Sequence, residues 1–210
     1  MHDHLGDRLA NAISHGLGLL LSITALIYLV SNATTNTHYF ALSIYGTSLI
    51  LLYLFSTIHH AIKMPTENGF YMLKSLDQIA IYILIAGTYT PLVLLGITAT
   101  SSIVLLYILW AIALIGSILK IRWPKKGKTL HIMLYVIMGW SVFALWPALT
   151  ANLSTAIIWY IVMGGLLYTG GIPFYVLSQV KKDWHYTHLI WHLFVIGGSV
   201  MHFVAITQIT

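Results

Sequence analysis

Residues 101–119 read SSIVLLYILWAIALIGSIL, and residues 120–128 read KIRWPKKGK. The first stretch has no charge and approaches the roughly 20 mainly apolar residues that a helix needs to cross a bilayer. The second holds Lys120, Arg122, Lys125, Lys126 and Lys128, and bases in a short loop stay on the cytoplasmic side of a membrane. Together they predict a spanning helix whose C-terminal end faces the cytoplasm. The pattern recurs along the chain. Apolar runs at residues 12–30, 39–62, 76–96, 101–119, 130–148, 155–177 and 187–206 predict seven spans. The breaks are short: residues 31–38 are rich in Asn and Thr, Met64-Pro65-Thr66-Glu67-Asn68-Gly69 is turn-prone, and residues 123–128 are basic.

The other bases set the orientation. Arg8 precedes the first run, Lys63 and Lys74 fall between the second and third, and Lys181 and Lys182 between the sixth and seventh. The remaining loops and the C-terminal tail hold none, so every base lies on one side of a seven-span arrangement. One span more or fewer would scatter them. The expected fold class is an all-α integral membrane protein, a seven-transmembrane-helix bundle with its N-terminus cytoplasmic and its C-terminus external. No linker divides it, so residues 1–210 read as a single domain, placed in the cell membrane with the lipid bilayer as its surroundings.

Composition supports this reading. Hydrophobic residues make up 59% of the chain and charged residues 7%, against about 25% charged in an ordinary soluble domain. A net charge of +5 is explained by basic loops against anionic headgroups, and clustered bases on a groove-binding face are lacking, so no nucleic-acid partner is expected. Cysteine is absent, which excludes disulfides, thiolate nucleophiles and sulfur ligands; a metal site must use His and carboxylate. The first run, followed by Ser31-Asn32-Ala33, is longer than the roughly 7 to 15 residues of a secretory apolar core and follows a poorly basic start, so it reads as a spanning helix.

A carboxylate in a span costs about 2.5 to 3.5 kcal/mol and normally has a partner and a purpose. Asp77 is the only acid at the edge of or inside an expected span; taken alone, it reads as an N-cap or first-turn anion opening the third helix. His188 and His192 stand at i and i+4 in the first turns of the seventh helix, so their imidazoles share a face and can share a cation. The second helix ends in Ser56-Thr57-Ile58-His59-His60, also on the cytoplasmic side. His59 or His60, Asp77, His188 and His192 therefore belong to one leaflet, and periodicity alone does not choose between His59 and His60, since Ser56 faces both. Three His with one open position is the arrangement of a catalytic zinc site. His202 lies about 21 Å further along the seventh helix than His188, towards the other leaflet. His2, His4 and His38 read as solvated, His131 and His185 sit at the rim without an assigned role, and His15, with Asn11 and Ser14 one turn before it, reads as a hydrogen-bonding group near the site or as a packing residue.

These motifs resemble the hemolysin III group of bacterial membrane proteins, within the progestin and adiponectin receptor (PAQR) superfamily. The resemblance covers nearly the whole chain and rests on SxxxH at Ser56 and His60, Leu76-Asp77 ahead of Ile85-Ala86-Gly87-Thr88-Tyr89-Thr90-Pro91, and HxxxH at His188 and His192. Met138-Gly139-Trp140 and Gly170-Gly171-Ile172-Pro173-Phe174-Tyr175 add to it. It implies a zinc ion held by His60, His188 and His192, with Asp77 orienting a water and Ser56 beside it, and it is the resemblance that selects His60 over His59. Two departures stand out. Arg8, preceded by Asp7, occupies the usual Glu position before Asn11, Ser14 and His15, and Gln78 stands where a His often follows the Asp.

A zinc ion with an open position suits hydrolysis of an amide or ester, and the resemblance extends to receptors similar to lipid amidases. The expected activity is zinc-dependent hydrolysis of a long-chain acyl lipid, with Asp77 as general base and Ser56 stabilising the developing oxyanion. The alternative is a cytolytic or membrane-modulating protein in which zinc ties helices together; a receptor-like role ranks lower because the loops offer little cytoplasmic surface. The spans lack the charged ring of a wide pore, and a transport path would need polar groups at the midplane and beyond it.

Overall fold

The computed structural model describes residues 4–97, 99–181 and 183–209. His2, read as solvated, and Lys182, read as a cytoplasmic base, lie outside the described residues. Regular structure among the described residues is helical: α1 (Leu5–Ser31), α2 (Asn36–Ala61), α3 (Glu67–Gly96), α4 (Thr100–Arg122), α5 (Lys128–Trp140), a 3-10 turn (Ser141–Leu145), α6 (Trp146–Asn152), α7 (Thr155–Val180) and α8 (Thr187–Thr207). The segment from α5 to α6 runs on as one span, so seven stretches are long and apolar enough to cross a bilayer, the expected number. Large apolar side chains point outward: Leu17, Leu20 and Leu21 of α1 are 58, 62 and 59% exposed. Such a surface is solvated by lipid and would be a liability in water.

Two elements differ from expectation. α3 starts at Glu67 rather than at residue 76. Thr66 Oγ1 accepts from the Gly69 N–H at 3.1 Å, and Glu67 lies in the first turn near the positive end of the helix dipole, so the polar stretch before residue 76 satisfies its own backbone. The second half of the turn-prone stretch, from Glu67 to Gly69, is therefore helix. Asp77 does not open α3 but sits in its interior, which removes the N-cap reading, and Lys74 belongs to the same helix rather than to a loop. Hydropathy misses such an extension because helical turns that project past the apolar core need no apolar residues.

The fifth span, expected as one helix over residues 130–148, tightens into 3-10 geometry at Ser141–Leu145. Pro147 lacks the N–H that would bond the carbonyl of Phe143. Local partners hold the irregular segment: Ser141 Oγ donates to the Met138 carbonyl at 2.6 Å, and the Tyr89 hydroxyl lies 2.8 Å from the Gly139 carbonyl.

α3 runs through the middle of the bundle and is buried on two sides. Tyr82, Tyr89 and Leu92 pack with Leu109 of α4 and Met138 of α5, while Ala80 and Leu84 pack with Leu42, Tyr45 and Leu49 of α2. α7 lies close against α8. A Cβ on Gly171 would stand 2.6 Å from the Trp191 ring, so the glycine lets two helices approach without a side chain between them. Inside the bundle is a cavity of roughly 930 Å³, lined from His4, Asp7 and Lys63 at one end to Ile206 and Ile209 at the other. The starts of α1, α3 and α8 and the end of α2 share the first end.

Candidate metal centre

His60 occupies the last turn of α2, and His188 and His192 occupy the first turns of α8. Their rings converge near the polar end of the cavity. The His60 centroid lies 5.0 Å from that of His188 and 5.0 Å from that of His192, and the latter two are 4.7 Å apart. Each ring offers a nitrogen within 4.8 Å of those of the other two, so the three can hold a metal ion.

Hydrogen bonding fixes two of the tautomers. Ser14 Oγ donates to the Asn11 carbonyl at 3.0 Å, so towards His192 Nδ1, also at 3.0 Å, it acts as acceptor. Ser178 Oγ donates to the Tyr175 carbonyl at 2.8 Å and likewise accepts from His188 Nδ1 at 3.2 Å. Both imidazoles therefore carry the proton on Nδ1 and present a bare Nε2. Nε2 of His60 is buried without a hydrogen-bond partner. Three lone pairs brought together in a buried pocket, two of them oriented by an outer hydrogen bond, match the donor set of a metal centre.

Of the two adjacent histidines, His60 joins the α8 pair, while His59 lies beside Phe70 with ring centroids 5.4 Å apart. Asp77 lies next to His60 and His59, with a carboxylate oxygen within 4.8 Å of their nitrogens. Ser56, buried to 2% exposure, stands close to the Asp77 carboxylate. His15 stacks on His192 at 3.5 Å, nearly parallel, and so packs directly against the cluster. His202 is remote from it, with Nε2 3.1 Å from the Ile161 carbonyl. His131 pairs with the Tyr82 hydroxyl at 2.8 Å.

Arg8, the departure at the usual Glu position, takes a structural place. Its guanidinium donates to the His60 and Ala61 carbonyls at 3.4 and 3.3 Å, capping the negative end of α2 beside the cluster. Asp7 accepts from the Tyr186 N–H at 3.1 Å and lies 3.0 Å from His185 Nδ1. That contact ties α1 to the residue before α8, where Tyr186 adopts the left-handed conformation with φ 61°. Sequence reasoning did not find Ser178 or the role of Ser14. Ser14 lies one turn from Asn11, which could have flagged it as a hydroxyl already committed to its own helix; Ser178 is ten residues before His188 on another helix and carries no sequence signal.

The pairing of these motifs in one pocket agrees with what the chain as a whole is similar to. Residues 5–203 match the family described as Haemolysin-III related. The chain belongs to that family. Hemolysin-3 of Bacillus cereus is 38% identical over 209 residues, 98% of this chain and 93% of that protein. The Hemolysin-3 homolog of Bacillus subtilis (strain 168) is 38% identical over 203 residues, covering 95% and 92% of the two chains. Monocyte to macrophage differentiation factor of Homo sapiens is 29% identical over 171 residues, 78% of this chain and 67% of that protein. The haemolysin-III match contains every residue of the cluster, and the expected resemblance holds.

Proposed function

We propose that this haemolysin-III family protein is a zinc-dependent hydrolase of lipid amide or ester bonds, with His60, His188 and His192 as the metal ligands. The observation that carries the reading is the convergence of three imidazole nitrogens, two of them bared by serine hydrogen bonds on the opposite ring nitrogen. Zinc in a three-His site keeps an open position at which it polarises a carbonyl and brings the pKa of a water towards about 7. Asp77 is the general base in this reading, since its carboxylate borders the cluster and takes up the proton that the attacking water loses. Ser56 stands beside that carboxylate, and its hydroxyl stabilises the developing oxyanion in this reading. The long cavity, apolar towards Ile206 and Ile209, suits a single acyl chain whose carbonyl lies at the His cluster. Residues 1–210 form one domain in this reading. The cluster lies in the cytoplasmic leaflet of the cell membrane.

Metal analysis of purified protein tests the ligand set. About one zinc per chain is expected, retained in His202→Ala and His59→Ala and lost in His60→Ala and His188→Ala; full zinc in both of the latter variants eliminates it. A second reading draws on the relatives named Hemolysin-3: a cytolytic protein in which zinc only ties α2 to α8. Under it, purified protein lyses erythrocytes, and a broad panel of amide and ester lipids stays uncleaved by fully zinc-loaded protein.

A further inference from the structure

A second group of potential ligands shares no residue with the inner cluster. His4 is the residue before α1, Asp7 lies in the first turn of α1, and His185 stands two residues before α8. Each offers one nitrogen or carboxylate oxygen, and these atoms all lie within 4.8 Å of one another. All three residues line the end of the cavity where the starts of α1 and α8 meet.

Asp7 is the centre of the group. Its Oδ2 lies 3.0 Å from His185 Nδ1, and its Oδ1 accepts from the Tyr186 N–H at 3.1 Å. The His4 ring, which sequence alone leaves in solvent, packs on the His185 ring with centroids 4.6 Å apart. The ion pair of Asp7 with His185 accounts for one imidazole. It does not account for a second imidazole gathered beside the same carboxylate from the far end of the chain.

Two imidazoles and a carboxylate are a donor set of zinc and related divalent transition metals, whereas calcium and magnesium take oxygen ligands. Two ligands on one tetrahedral zinc, with bonds of about 2.0 Å, stand roughly 3.3 Å apart, close to the separation of His185 and Asp7. The side chains of His185 and Asp7 are 48 and 22% exposed and His4 is exposed, so the rings can turn to close the remaining distance. The Tyr186 N–H aims the carboxylate from its other oxygen, as outer partners of metal ligands do.

We infer that His4, Asp7 and His185 form a second, exchangeable site for a divalent transition metal, zinc above all, which clips the start of α1 to the approach to α8. It binds more weakly than the inner three-His cluster, because exposed side chains must be ordered on binding. Purified protein therefore keeps about one zinc and takes up the second only when zinc is added. The inference is independent of the hydrolase reading and of the inner ligand set.

The test is a zinc titration of the full chain in phosphatidylcholine nanodiscs against a competing chelator, for wild type and for the His60→Ala/His188→Ala double variant. Wild type is expected to bind two zinc ions per chain, and the double variant the weaker one alone. His4→Ala, at an exposed position, and His185→Ala should each weaken that second zinc by at least about tenfold, the least effect expected where even an outer partner costs 10- to 100-fold. His38→Ala, at the opposite end of α2, leaves it unchanged. Amide exchange at Tyr186 should slow on addition of zinc in wild type and not in His4→Ala. Absence of a second zinc in wild type up to about 1 mM, a limit of very weak binding, overturns the proposal, as does a second zinc that survives both His4→Ala and His185→Ala. Magnesium competing as well as zinc overturns the transition-metal assignment. A single zinc that His4→Ala removes and the double variant keeps would sink the inner ligand set and leave this site standing; the wild-type titration reads the second zinc even if the double variant fails to fold.

Discussion

His192 is 1% exposed and is held by three different contacts: Ser14 at Nδ1, His15 stacked on its face and His60 across the pocket. Removing an outer hydrogen bond of this kind typically costs 10- to 100-fold in metal affinity, because the ring loses its tautomer and its aim. Ser14→Ala is accordingly expected to weaken zinc binding by about 10- to 100-fold without abolishing it, read by titration against a chelator of known affinity; unchanged affinity would mean that the serine does not orient the ring. Asp77 separates catalysis from architecture at the same scale. Asp77→Asn keeps the shape of the side chain and can still pair with Ser56, but it cannot accept a proton. Zinc content should stay near one per chain while hydrolysis of a long-chain acyl lipid falls by about 10²- to 10⁴-fold; hydrolysis at the wild-type rate would remove Asp77 as the base.

At the scale of elements, the position of α8 determines whether the cluster forms. α8 carries two of the three candidate ligands, and α7 holds it through the close approach at Gly171 and through the Ser178 contact to His188. Gly171→Val inserts a side chain into the Trp191 ring. It is expected to destabilise the bundle by about 1–3 kcal/mol and to lower zinc occupancy along with the unfolding temperature in detergent, whereas Gly139→Val, where a Cβ meets no neighbour, should change neither appreciably. The start of α3 depends on a smaller device. Loss of the Thr66 cap in Thr66→Ala should cost about 1 kcal/mol, seen as faster amide exchange at residues 67–70 with the protection of Asp77 and Gln78 intact.

For the whole molecule, the seven spans and the distribution of bases make one joint claim about sidedness. Reporters fused after Ser31 and at the C-terminus are expected to read as external, and reporters between Lys120 and Lys128 as internal. A cytoplasmic C-terminus would put the end shared by the starts of α1, α3 and α8 and the end of α2 on the external side and overturn the expected orientation. The cavity that joins this end to Ile206 and Ile209 is a property of the bundle as a whole, since residues of α1, α2, α3, α4, α5, α7 and α8 line it together.

The seven spans, the pairing of His188 with His192 and the common leaflet of the motifs are legible in the sequence. Each depends on quantities that act along the chain: the length of an apolar run, the 3.6-residue period of a helix, and the side on which a base is retained. Charge patterning could not reveal that Arg8 caps α2 or that Lys120 faces inward, because both depend on which neighbour a helix face meets. Hydropathy placed the start of α3 too late, since the capped polar turns from Glu67 onward are stabilised by their own backbone bonds and by Thr66 rather than by lipid. Packing between helices, by contrast, brings His60 to the His188–His192 pair and sets Ser14 and Ser178 against Nδ1 of His192 and His188, leaving Nε2 free. Residues 14, 60, 77, 178 and 192 sit on five different helical segments, and local propensities carry no information about the rotation of one packed helix against another; that rotation is set by side chains interlocking across the bundle.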